Sequence, residues 1–188
     1  MAADAGCEVA AWIEGLDRQR ADSRHTPPIL WVDEQGGFEP DLPVVVAIGS
    51  VKRRGLIERL LNEGRSLETL VHPSAVVART AILAAGVVVF PLVVIGARTR
   101  VGMGTILNRG TLIGHHTSIG AHAFIGPGAV VAGGVTVGSG VQIGMGALVR
   151  DNTHVGEDAI VGMGAVVIGD VDPGTTVVGN PARPMQMA

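Results

Sequence analysis

LIGHHTSIGAHAFIGPGAVVAGG, running from Leu112 to Gly134, places a branched aliphatic at every sixth residue: Ile113, Ile119, Ile125 and Val131. Carried in both directions, the step runs from Val71 through Val77, Leu83, Val89, Ile95, Val101 and Leu107 to Val137, Ile143, Val149, Val155, Val161 and Val167. All seventeen positions are branched aliphatics. A second register, offset by four residues, runs from Ala75 to Ala165 and holds only Ala, Val or Thr. Gly follows the aliphatic nine times between Ile95 and Val161.

A period of six suits neither an α-helix nor an alternating strand. It suits a prism whose coil has three short strands, one per hexad, with a tight turn between faces. The large aliphatic points inward, the small residue near each corner permits the close turn, and Gly gives backbone freedom where a side chain would be strained. The fold class expected is therefore mainly β: a parallel β-helix of nearly six coils over residues 71–170. A small α/β lobe over 1–70 is expected to cap the lower end. A tail over 171–188 is expected to cap the upper one, with DVDPGTTVVGNPARP, from Asp170, leaving the repeat at Pro173.

In the lobe, CEVAAWIEGLDRQR at 7–20 reads as an amphipathic helix with Val9, Trp12, Ile13 and Leu16 on one face. ILWVD at 29–33 reads as a strand, VVVAIGS from Val44 as a buried second strand within 43–49, and 51–64 as a helix stopped by Gly64.

Composition agrees with the repeat. The chain has 28 Gly among 188 residues and only two Trp, three Phe and no Tyr, so its core must be built from Val, Ile, Leu and Ala. The net charge of −3 gives no bulk attraction for nucleic acid or an anionic membrane. A charged fraction of only 16% points to surface buried against other subunits. Cys7 is the single cysteine, which excludes an internal disulfide framework or a cysteine zinc cluster. Acidic residues in the first twenty positions argue against a signal peptide, and regular Gly and Thr argue against a bilayer span. A soluble cytoplasmic protein is expected.

A β-prism has no chemistry of its own, so polar residues at its faces must supply function. His115 and His116 follow Ile113-Gly114 at positions expected to point toward a neighbouring prism. Asn108 stands where the repeat usually has Gly, for a catalytic reason or for a local turn hydrogen bond. His115 suits a general base that takes a proton from an amine or hydroxyl attacking a thioester, and His116 could orient the acceptor or the other ring. His122 reads as solvent-facing or interfacial, His72 as a turn residue and His154 as a face residue. A zinc-dependent trimeric lyase or hydratase is a competing expectation, though His116 and His122 lie one hexad apart and so on different faces. A non-catalytic scaffold is the other.

The hexads, Asn108, the 112–134 stretch and the closing GNPAR at 179–183 resemble the left-handed β-helix acyltransferases. Within that family, LPVVVAIGSVKRRGLIERLLNEG followed by LETLVHPSAVV is most similar to the sugar O-/N-acetyltransferases of the sialic-acid and bacillosamine pathways. The resemblance implies a homotrimer with active sites between adjacent prisms. It also implies acetyl-coenzyme A as donor and a sugar or nucleotide-sugar as acceptor. It maps the catalytic histidine onto His115 and the site asparagine onto Asn108. Backbone amides toward the coenzyme map onto Gly133 and the stretch Gly162, Gly164 and Ala165, where they could hold the thioester carbonyl as negative charge develops.

Three departures from the family pattern stand out. The acidic residue that commonly follows the catalytic histidine is here His116. A second family histidine, nine residues on, lands on Phe124. Relatives begin with a strand and a glycine-rich turn for the nucleotide, whereas only MAADAG precedes the first predicted helix. The lobe is therefore expected to lack that strand, with Gly6 at most a remnant of the turn.

Overall fold

The computed structural model describes residues 12–14, 29–31, 42–49 and 53–185. Seventeen two-residue strands run from Leu70–Val71 to Val166–Val167, and each ends on one of the aliphatic register positions. They stack into three sheets. One has six strands, from Val76–Val77 to Val166–Val167. One has five, from Ile82–Leu83 to His154–Val155. The third begins at Leu70–Val71 and reaches eight strands through Thr176–Val178 and the antiparallel Arg183–Pro184. Partners within the stack lie one 18-residue coil apart, as Leu112 with Val130 and Ser118 with Thr136. The fold is mainly β, a parallel β-helix of about six coils with one short helix.

Both sequence registers face inward. From Val87 to Val167 every member of either register is buried. Most of the threonines among them are satisfied across coils: Thr99, Thr105 and Thr117 donate their hydroxyls to the carbonyls of Gly114, Gly120 and Ala132 at 2.8, 2.9 and 3.0 Å. A buried hydroxyl left without such an acceptor costs about 1–3 kcal/mol, so these bonds are what allow Thr into an aliphatic column.

Glycine serves two registers for two reasons. After the aliphatic it is needed for close approach and not, as expected, for backbone freedom. A β-carbon on Gly114 would stand 2.4 Å from the Gly133 nitrogen in the next coil. The left-handed backbone lies two residues further on. From residue 86 to 164 every sixth residue has φ between 55 and 70°. Gly fills eight of these fourteen positions; Leu92, Arg98, His116, His122, Asn152 and Asp158 fill the others.

The lobe departs from expectation in three places. Trp12–Glu14 is a strand, paired in parallel with Ile29–Trp31, where a helix over 7–20 is predicted. Trp12-Ile13 is too short an apolar run for its period to distinguish the two, and the aromatic and β-branched pair favours a strand. A strand therefore does precede the second one, contrary to the expected gap. Gly6 and the rest of 7–20 lie outside the described residues.

The predicted strand over 43–49 is reduced to a single bridge from Val44 to Leu67, and within it only Val46 is buried. The predicted second helix is present as Arg53–Asn62, and Gly64 follows it with φ 79°. This helix lies along the flank of the prism, not on its lower end. Its Ile57 lies against Gly104, on the edge between the five-stranded and eight-stranded sheets, and the outward residues Leu70, Val88 and Ile106 of the eight-stranded sheet are aliphatic and buried. Val71, Val77 and Leu83, the inward residues of the first coil, stay only half-buried. At the upper end Val171 and Val177 join the core and Ala182 packs against it.

Arg53 fastens the helix to the prism. Its guanidinium donates to the carbonyls of Gly104, His122 and Ala123 at 3.1, 2.6 and 2.6 Å, and it lies 5.9 Å from the Phe124 ring centre. Burial pulls its pKa down to about 10, so it remains charged at neutral pH.

Candidate functional site

The chain leaves the six-stranded sheet after Ile113, turns through Gly114-His115-His116, and enters the five-stranded sheet at Ser118. Stacked coils align His115 below Gly133 and Asp151, and His116 below Gly134 and Asn152. These six residues line an open hollow of about 310 Å³. No other predicted site residue reaches it.

His115 and His116 are both exposed, and their side chains meet. The two Nδ1 atoms are 2.9 Å apart, with the rings nearly perpendicular at 87°. His116 Nε2 lies 3.4 Å from Nη1 of Arg98, one coil below. The His115 ring extends over Gly133, and only the missing β-carbon leaves it room. The Gly133 N–H has no acceptor among the described residues, whereas the neighbouring Gly134 N–H donates to the His115 carbonyl at 2.8 Å. A nitrogen base and a free amide donor therefore sit side by side, the pair that acyl transfer requires.

The other predicted residues lie on a different edge. Asn108 and the turn Gly162–Ala165 lie between the eight-stranded and six-stranded sheets, so the width of the six-stranded sheet separates them from His115. Asn108 Oδ1 accepts the Arg109 N–H at 2.8 Å, which is the local turn bond, and occupies the amide that Gly133-type turns leave open. The Gly162, Gly164 and Ala165 amides cannot serve as open donors. They donate to the carbonyls of Val177, Met145 and Gly162 at 2.8, 2.9 and 3.2 Å. In that turn the amide with no acceptor among the described residues is Met163's.

His122 is not solvent-facing throughout. Its Nδ1 is buried without a hydrogen-bond partner among the described residues, beside Gly104 and under the Arg53–Asn62 helix. Burial, then the charges of Arg54 and Arg53, hold its pKa below the usual imidazole value, against an opposing pull from Glu58. His72 is a turn residue, its ring bonded to Ser74, and His154 lies exposed on the five-stranded face. Among the described residues no three His, Cys, Asp or Glu side chains converge as a metal set would.

Sequence reasoning missed Arg98, Asp151 and Asn152. The left-handed register was the available signal. Side chains occupy three of its four positions on the His115 edge (Arg98, His116, Asn152), while Gly fills all but Leu92 on the Asn108 edge. A left-handed residue other than Gly costs about 1 kcal/mol or more, and such strain gathers where side chains are used.

Known proteins share this fold. Residues 116–151 match the family described as bacterial transferase hexapeptide (six repeats). No curated protein matches the chain. Among solved structures, the acetyltransferase domain of PglB from Neisseria gonorrhoeae, in complex with acetyl coenzyme A, is 33% identical. The match covers 98% of this chain and 90% of that one, with a TM-score of 0.89. PerB from Caulobacter crescentus, in complex with CoA and GDP-perosamine, is 30% identical over 94% of this chain and 96% of its own, with a TM-score of 0.79. WeeI from Acinetobacter baumannii is 27% identical over 93% and 85%, with a TM-score of 0.85. The chain belongs to the left-handed β-helix, hexapeptide-repeat acetyltransferases, and is an acyltransferase. Among the described residues no helix is long and apolar enough to cross a membrane.

Proposed function

We propose that this protein moves an acetyl group from acetyl-coenzyme A to the amino group of a nucleotide-linked sugar, with His115 as general base at a seam between two copies of a homotrimer. The observation that carries the chemistry is His115 beside the open Gly133 amide. His115 Nε2 takes a proton from the acceptor amine as nitrogen attacks the thioester carbonyl. The C–N bond forms, the Gly133 N–H holds the oxygen as charge collects on it, and the C–S bond breaks to give the thiol. PerB, crystallised with CoA and GDP-perosamine, supports this donor and this acceptor class.

The outer face of the six-stranded sheet supports the trimer. Val76, Val94, Leu112, Val130, Leu148 and Val166 form an unbroken aliphatic column up the prism, and Val76 is 63% exposed. The column lies between the Asn108 edge and the His115 edge. A threefold arrangement with this face inward brings the His115 edge of one copy to the Asn108 edge of the next. The site divided within one chain is then completed between chains. In this reading residues 71–170 carry the chemistry, 1–70 the acceptor-side lobe and 171–188 the cap. The enzyme works in the cytoplasm, where acetyl-coenzyme A is available.

The test is thiol release from acetyl-coenzyme A with a panel of nucleotide-linked amino sugars, matched hydroxy sugars and free sugars. His115→Ala is expected to lower turnover by about 10²- to 10⁴-fold with the fold intact. Near-normal turnover in that variant removes the base, and no thiol release with any acceptor removes the activity.

A further inference from the structure

Two Nδ1 atoms 2.9 Å apart share one proton, so the neutral His115–His116 pair has only two arrangements. In the first, His115 Nδ1–H donates to His116 Nδ1. The lone pair of His115 is then at Nε2, over Gly133, and His116 carries its proton at Nε2. In the second, His116 Nδ1–H donates to His115 Nδ1. His116 Nε2 is then the lone pair, and His115 carries its proton at Nε2. Only the first arrangement makes His115 Nε2 a base.

Arg98 decides between them. Its guanidinium has donors and no acceptor, and its Nη1 faces His116 Nε2 at 3.4 Å. That contact is attractive only when His116 Nε2 is the lone pair, which is the second arrangement. Arg98 is held in place by its own backbone. It sits in the left-handed turn at φ 59°, with its N–H donating to Thr80 Oγ1 at 3.0 Å. The carboxylate that relatives commonly place after the histidine would accept from His115 whatever Arg98 did. An imidazole responds to it.

We propose that Arg98 is a positioning residue that sets the proton arrangement of the His116–His115 pair, and that an acceptor bearing a phosphate or diphosphate draws Arg98 away and so turns His115 Nε2 into the base. The second clause rests on the acetyltransferase reading above, but the first does not. Arg98 is exposed on the same edge, one coil below the histidines, with exposed Arg79 one coil below that. An anionic group lying along this edge meets two guanidinium groups before it meets the imidazoles. Once Arg98 turns to the anion, nothing opposes a proton on His116 Nε2, and the shared proton can belong to His115 Nδ1.

The experiment is ¹⁵N NMR of the histidine rings at alkaline pH, where protonated and bare ring nitrogens give well-separated shifts. It needs no turnover. For the wild-type protein, His115 is expected to be protonated at Nε2 and His116 at Nδ1; the reverse pattern overturns the proposal. Arg98→Gly keeps the left-handed turn and is expected to yield a mixture of both arrangements; an unchanged spectrum overturns the role of Arg98. Inorganic pyrophosphate is the probe for the anion. It is expected to shift the wild-type pair toward His115 Nδ1–H and to leave Arg98→Gly unmoved. A pyrophosphate-independent wild-type spectrum overturns the substrate coupling. Absence of acetyl transfer with intact NMR behaviour points to the acetyltransferase reading as the error.

Discussion

The imidazole of His115 lies across Gly133: a β-carbon on Gly133 would stand 2.9 Å from Cε1 and 3.0 Å from Nε2 of the ring. Gly133→Ala therefore pushes the ring aside without straining the backbone, because Gly133 lies outside the left-handed register. Displacement of a catalytic group by about 1 Å can cost about 10²-fold in rate. We expect kcat/KM to fall by about 10- to 100-fold with an unchanged melting temperature, read by thiol release and circular dichroism.

Gly114→Ala tests a different use of glycine. Its β-carbon would meet the Gly133 nitrogen and Ala132 carbonyl carbon at 2.4 Å, both backbone atoms of the next coil. Neither can rotate away, so the coils must part. A loss of about 1–3 kcal/mol is expected from overpacking, visible in chemical denaturation.

Arg53→Met keeps much of the side-chain volume but removes the donors to Gly104, His122 and Ala123. A buried carbonyl deprived of a charged donor costs about 1–3 kcal/mol. The β-helix makes its core from other residues, so the cost should fall on the flanking helix. Hydrogen exchange is expected to speed up across Arg53–Asn62 while strands such as Leu112–Ile113 stay protected.

His122 makes that same attachment sensitive to acid. Its pKa is lowered in the folded protein, chiefly by burial. Below about pH 6.5 the unfolded or undocked chain takes up a proton that the docked state resists, so docking weakens as pH falls. The weakening ends once pH passes the lowered folded value. His122→Gly suits the left-handed turn and is expected to flatten the dependence between neutral pH and pH 5, again by exchange of the 53–62 amides.

Leu112→Glu places a charge midway up the exposed aliphatic column, 43% exposed in the single chain. Its turn and its inward neighbour Ile113 are untouched. Light scattering is expected to show a trimer for the wild-type protein and monomer for the variant, and activity should be lost with assembly.

The prism was legible from Val71 to Val167 because two registers point inward, one holding only branched aliphatics and the other only Ala, Val or Thr. The local rule and the global fold agree at every hexad. The lobe was less legible. Trp12-Ile13 fits a helix face as well as a strand, and the apolar run from Val44 reads as buried although only Val46 is. At the site, His115, His116 and Gly133 could be named from the sequence, but Arg98, Asp151 and Asn152 could not. Asn108 is seven residues from His115 in sequence and a whole sheet away in space. His116, Arg98 and Asn152 share a property, left-handed backbone, that the more visible glycines after each aliphatic concealed.

The uniform coil gives each side chain an address: its residue number divided by eighteen, the remainder naming the edge and the quotient the storey. His115, Gly133 and Asp151 share a remainder, as do Arg98, His116, Gly134 and Asn152. Losing one hexad between Val71 and Ile95 would leave strands, core and turns much as they are, since the stack does not distinguish one hexad from another. It would nevertheless turn everything above it by about a third of a revolution relative to the Arg53 helix. The imidazoles would then look out from a neighbouring edge, still folded and still paired, with a different sheet beside them. Losing a whole coil would keep every residue on its edge and only move it one storey relative to the lobe. Length changes in this chain are therefore expected to be tolerated in eighteens and to abolish function in sixes.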